Sequence, residues 1–159
     1  MGAINQAFNQ AAGAVAGAAL VIKHAKETEE SKMNSADNSA LIARNQARAA
    51  NDEANAANTE AAKKGGLYQQ MALADANVEK AEKAYNKAVK RKNGSPRTRG
   101  KKLNDLWAAE KAVDELNKKY QALENIRNRA EEQRIYASKA TKMALDAKEK
   151  YAKHWGGTR

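Results

Sequence analysis

The chain has 159 residues, with 29 Lys or Arg against 19 Asp or Glu and a formal net charge of +10. Alanine accounts for 36 residues, while Phe and Pro occur once each and Cys is absent. This composition excludes disulfides and thiolate metal sites, leaves too few large apolar side chains for a thick core, and favours long helices.

No stretch alternates β-branched or aromatic residues over four to eight positions, so strands are not expected. The expected fold class is all-α: long helices with coiled-coil-like seams, a C-terminal antiparallel helical hairpin, and an oligomeric state. The charge is unevenly spread. Residues 1–62 carry 5 basic and 7 acidic side chains, net −2; residues 63–102 carry 12 and 3, net +9; residues 103–159 carry 12 and 9, net +3.

Residues 1–32 form the first segment. Met1–Ile22 has no charged side chain, and Ala11–Ile22 is wholly apolar, with Gly13 and Gly17 at GxxxG spacing. Twelve apolar residues fall short of the roughly 20 that cross a bilayer, and no basic stretch precedes them as in a signal peptide. Three uses remain open for Gly13, Val15, Gly17, Leu20, Val21 and Ile22. They are a small-residue helix packed inside an assembly, membrane insertion after release, and a resident anchor. Residues 23–32 are a polar continuation without Pro or Gly.

Residues 33–64 hold the most regular pattern in the chain. Ala36, Ala40, Ala43, Ala47, Ala50, Ala54, Ala57 and Ala61 follow one another in alternating steps of four and three. That period marks a left-handed supercoil. Methyl knobs bury little area, so the seam must gain from close backbone approach and is expected to be the oligomerising element. Beside it runs Arg44, Arg48, Asn51, Asn55 and Asn58, at the same steps. This stripe is either the polar edge of a coiled coil or, with several copies around an axis, the lining of a lumen. Lys63-Lys64-Gly65-Gly66 is a helix stop.

Residues 67–153 are expected to form the hairpin. Its first seam is Leu67, Met71, Ala74, Val78, Ala81, Tyr85 and Ala88. An irregular stretch with Asn93-Gly94 and Pro96 follows, and the second helix is expected from near Leu103. Its seam runs Leu106, Ala109, Val113, Leu116, Tyr120, Leu123 and Ile126, then Ala130, Ala137, Ala140, Ala144, Ala147 and Tyr151. Two successive steps of three at Tyr120, Leu123 and Ile126 form a stammer and predict a change of packing partner near residue 126. Residues 154–159 are expected to be a flexible tail.

The basic loop 90–102 contains Lys90, Arg91, Lys92, Arg97, Arg99, Lys101 and Lys102 and no acid. Such a cluster either binds an anion (nucleic-acid phosphate, a lipid headgroup or an acidic protein) with steep salt dependence, or merely solubilises the tip. No aromatic side chain is interleaved, so base stacking is not expected. No nucleophile, phosphate-loop or metalloprotease motif occurs, and neither His24 nor His154 has partners at metal spacing. No enzymatic activity, metal or cofactor is expected.

The uncharged Ala11–Ile22 segment with Gly13 and Gly17, the Ala36–Ala61 seam with its Arg/Asn stripe, and the basic helical half appear in that order. The layout resembles the small DNA-ejection proteins packaged in phage particles: the internal core proteins of short-tailed phages and, more distantly, the DNA pilot proteins of microviruses. The resemblance implies a virion protein that leaves with the genome and reaches the host cell envelope. Its partners would be copies of itself, other virion proteins such as portal, tail or core, membrane after release, and DNA without sequence specificity. A scaffolding or assembly protein and a sequence-independent DNA-binding helical protein are the alternatives.

Overall fold

A computed structural model describes residues 2–156. Three helices account for nearly all of them: α1, Gly2–Ala62; α2, Leu67–Lys90; and α3, Pro96–Trp155. There is no strand among the described residues. The fold is all-α.

α1 runs unbroken from the uncharged segment through the alanine seam, because no Pro or Gly interrupts residues 18–62. It stops where Gly65 takes φ +78 and where a Cβ on Gly66 would lie 2.5 Å from the Glu60 carbonyl oxygen. Gly is the residue that tolerates both conditions. The break is tied: the Gln69 side-chain oxygen accepts from Gly65 N at 2.5 Å, and Gln70 Nε2 donates to Gly65 O at 2.8 Å.

α3 begins seven residues earlier than the sequence suggests. The turn between α2 and α3 is only residues 91–95, closed by Gly94 N donating to Arg91 O at 3.2 Å. Pro96 then opens the helix, since its fixed φ and missing N–H suit the first helical position. Arg99 N donates to Ser95 O at 3.2 Å as a first helical bond. The other end is also longer than expected. His154 and Trp155 are helical, and Gly156 N donates to Ala152 O at 2.8 Å. Residues 157–159 of the expected tail lie outside the described residues.

The chain divides into two compact units, Met1–Ala47 with Gln133–Arg159, and Arg48–Glu132. In the first, α1 and α3 lie antiparallel: His24 shares a hollow with His154 and Trp155, and Ala36 shares one with Ala140. Among the described residues its fully buried core is made of alanines. Ala40 and Ala43 are 1% exposed, and Ala137 and Ala144 face inward from α3. Asp37 and Lys148 pair at 2.8 Å across the same two helices.

In the second unit, α2 and the start of α3 form the antiparallel hairpin. Ala54 and Ala61 of α1, Ala74 of α2, and Leu123 and Ala130 of α3 are its buried residues. α3 meets both other helices near Leu123, where Ala57, Ala61, Leu67, Ala122 and Ile126 line one hollow. The hairpin expected over 67–153 is therefore shorter. α2 has 24 residues against 60 in α3, so α2 reaches only the first part of α3, and residues 133–153 pack on α1 instead.

Candidate interaction surfaces

The alanine seam is occupied by the chain itself. Ala40, Ala43, Ala54 and Ala61 are buried and Ala36, Ala47, Ala50 and Ala57 half-buried. The cover comes from α3, joined at Ala57 and Ala61 by Leu67 and Gln70 of α2. Within one chain the seam is thus packed by the chain's own helices, and its expected role as the oligomerising element becomes a proposal about what the assembled protein does with these residues. The seam also extends further than the alanines: Glu29 and Met33 are half-buried in the same steps of four and three.

The Arg/Asn stripe splits. Arg44, Arg48, Asn51 and Asn55 are exposed, whereas Asn58 is half-buried. Asn58 Oδ1 accepts from Arg127 Nε at 2.7 Å, and Arg127 Nη2 donates to the Tyr68 hydroxyl at 2.5 Å. Glu124 pairs with the same guanidinium, and this hydrogen bond pushes the Arg127 pKa further up. One side chain of α3 thus holds the end of α1 and the start of α2. The periodicity of apolar residues could not show it, because all four participants are polar.

The basic residues gather at the α2–α3 tip. Lys90 closes α2, Arg91 and Lys92 lie in the turn, and Arg97, Arg99, Lys101 and Lys102 lie on the first turns of α3. Lys83, Asn86 and Lys87 join Lys90 and Arg91 around a shallow hollow on α2. Nine cations and no acid therefore fall within residues 83–102. Lys83 is tied to Glu79, which holds the Glu79 carboxyl below its usual range and raises Lys83. Lys102 lies 3.9 Å from Asp105, and Arg99 Nη2 reaches Gly94 O at 3.5 Å. Lys87, Lys90, Arg91, Lys92, Arg97 and Lys101 have no partner among the described residues. α3 has no acid in its first turn, so its positive dipole end adds to the field of these cations. Chemically, the tip is suited to an anion.

Residues 13–22 are helical and exposed. Val15 and Val21 are each 70% exposed, Leu20 68% and Ile22 57%, and nothing lies within 4 Å of where a Cβ on Gly13 or Gly17 would be. Among the described residues no helix is long and apolar enough to cross a membrane. The two histidines, distant in sequence, line one hollow beside Trp155, whose buried Nε1 has no hydrogen-bond partner among the described residues.

No protein-family model, curated protein or solved structure matches this chain.

Proposed function

We propose that the chain is a non-enzymatic structural protein of a phage virion that assists genome ejection and passes with the genome to the host envelope. The observation that supports this reading is the contrast along α1. Its alanine seam is closed by α3, while Val15, Leu20, Val21 and Ile22 stand uncovered on a segment without charge. Exposed apolar side chains grouped on one element mark a contact to be made elsewhere.

Residues 13–22 measure about 15 Å as a helix, half the roughly 30 Å of a bilayer core. On this reading the segment lies in the lipid interface, or spans only with other segments in an oligomer. The portal, tail or core proteins of the particle are its other proposed partners. In a phage that carries the chain, deletion of residues 2–22 is expected to leave full but non-infectious particles, and mass spectrometry of purified virions is expected to find the parent protein. Particles that fail to assemble would instead support a scaffolding role.

A second reading rests on the tip. Nine cations within residues 83–102 would grip nucleic-acid phosphates without reading sequence. Titration of DNA binding against salt separates this reading from a merely solubilising tip, which would show no binding at physiological salt.

A further inference from the structure

Trp107 is 58% exposed, and between Val89 and Ile135 no other large apolar side chain stands exposed among the described residues. Leu106 beside it is half-buried, and each residue turns a helix by about 100°, so Trp107 lies off the face that packs on α2. Because α3 starts at Pro96 rather than near Leu103, Arg97, Gly100, Asn104, Trp107 and Lys111 share one helix in steps of three and four. That spacing is one face, and all five residues are exposed, as is Lys101 beside them. The space that a Cβ on Gly100 would fill meets no atom within 4 Å. Of the two acids between Arg97 and Lys111, Asp105 is approached by Lys102 at 3.9 Å. The other, Glu110, lies on the edge nearer the half-buried Ala109 and Val113.

We propose, on the nucleic-acid reading of the basic tip, that this face of α3 binds a single strand, with one base stacked on the Trp107 indole and phosphates on Arg97, Lys101 and Lys111. Cations attract the phosphates of a duplex and of a single strand alike. Bases in a duplex have both faces covered by their neighbours, whereas a single strand can open a base onto an aromatic ring. Trp107 therefore adds affinity for the single strand alone. Arg97 to Lys111 spans about 21 Å of helix, the length of about six stacked nucleotides at 3.4 Å each, and Trp107 sits between the cations. A lone indole fits one base. A protein surface or a bilayer would call for further apolar side chains around it, and its exposed neighbours are Asn104, Ala108 and Lys111.

Binding titrations of the full chain test the site. The chain has two tryptophans, so in Trp155→Phe the indole emission comes from Trp107 alone. An oligothymidylate of about ten nucleotides is expected to quench that emission, and a duplex of equal length to bind without comparable quenching. Trp107→Leu is expected to bind the oligothymidylate at least about fivefold more weakly, with duplex affinity unchanged. Arg97→Gln combined with Lys101→Gln should weaken both. Circular dichroism should show Trp107→Leu as helical as the parent, since the side chain is exposed. Trp107→Leu that binds the single strand like the parent, or emission that the strand leaves unchanged, overturns the proposal while duplex binding by the tip stands. A chain that binds neither form at low salt overturns both readings. A loss in Trp107→Leu confined to anionic vesicles also overturns the proposal and assigns the indole to a lipid surface.

Discussion

Arg127 of α3 and Asn58 of α1, 69 residues apart in sequence, are joined by a 2.7 Å hydrogen bond from Nε to Oδ1. The same guanidinium reaches Tyr68 at the start of α2 and pairs with Glu124 on its own helix. It sits where α3 faces the end of one helix and the beginning of another, beside the Gly65-Gly66 break. Arg127→Ala is expected to lower stability, since hydrogen bonds from a charged donor to Asn58 and Tyr68 are lost. Thermal unfolding followed by helical ellipticity should show a fall of a few degrees. Arg127→Lys keeps the charge but not the planar fork, and should fall between the two. A melting temperature unchanged in Arg127→Ala would show that the junction is held by Leu67, Leu123 and Ile126 alone.

The alanine core makes an opposite kind of prediction, in which a larger apolar residue is harmful. Ala43 is 1% exposed, in the core to which α3 brings Ala137 and Ala144. Ala43→Leu is expected to cost about 1–3 kcal/mol through overpacking. Ala49→Leu, on the same helix but exposed, should be nearly neutral. Comparing the two urea midpoints separates close packing from helix propensity, because Ala and Leu differ little in the latter.

Much of this was legible before the structure, and the reasons are local. The steps of four and three from Ala36 to Ala61, from Leu67 to Ala88 and from Leu106 to Tyr151 name residues that are all buried or half-buried. The irregular step at Leu123–Ile126 coincides with the place where α3 meets both α1 and α2. What stayed hidden depended on polar residues in apolar positions. Glu29 and Gln133 occupy seam positions, Gln133 with a buried Oε1 that has no hydrogen-bond partner among the described residues, and a hydrophobic pattern passes over them. The helical start at Pro96 was misplaced because Asn93-Gly94-Ser95-Pro96 signals a turn as strongly as it signals a first helical residue. The cover that α3 gives the alanine seam within the chain was not legible either. Period fixes which face is packed, and only the chain's return through α3 fixes what packs on it.

The tied break between α1 and α2 has its own test. A Cβ at Gly66 would come within 2.5 Å of Glu60 O and 2.6 Å of Ala61 O, both backbone atoms that cannot turn aside. Gly66→Ala is expected to shift the chain path and expose Lys63–Lys64 to trypsin faster than in the parent. Gly65→Ala, which meets no atom within 4 Å but sits at φ +78, should cost only the left-handed penalty of about 1 kcal/mol. Equal proteolysis rates for the two variants would contradict this separation.

At the tip, Glu79 competes with any anion for Lys83. Replacing Glu79 by Gln frees that ammonium and adds one unit of positive charge, so binding of a DNA duplex should strengthen by about twofold at fixed salt. Replacing Lys90, Arg91 and Lys92 by Gln should weaken binding equally for unrelated sequences. The slope of log affinity against log salt should become shallower by about 0.9 for each phosphate contact removed. The Glu79–Lys83 pair itself has a sign to check. The Glu79 pKa is lowered in the folded chain, so its contribution is present above the ordinary carboxylate range and is lost as pH falls through the lowered value. A Glu79 carboxyl that titrates by NMR at or above the free-Glu position would remove the pair from the account.

The uncovered apolar turns give the most direct measure of a lipid role. Leu20, Val21 and Ile22 are all more than half exposed, so replacing them with Ser should leave the helical signal and melting temperature of the monomer unchanged. If these side chains enter a lipid interface, each loses an apolar burial of about 1.5 kcal/mol or more. The triple variant should then bind vesicles of mixed zwitterionic and anionic lipid at least about 100-fold more weakly. The basic tip supplies a control in the same assay, because vesicles without anionic lipid remove its attraction while keeping the apolar term. Parent protein that binds only the anionic vesicles, with no loss in the triple variant, would place lipid binding at residues 83–102 and leave Leu20, Val21 and Ile22 to contacts with protein.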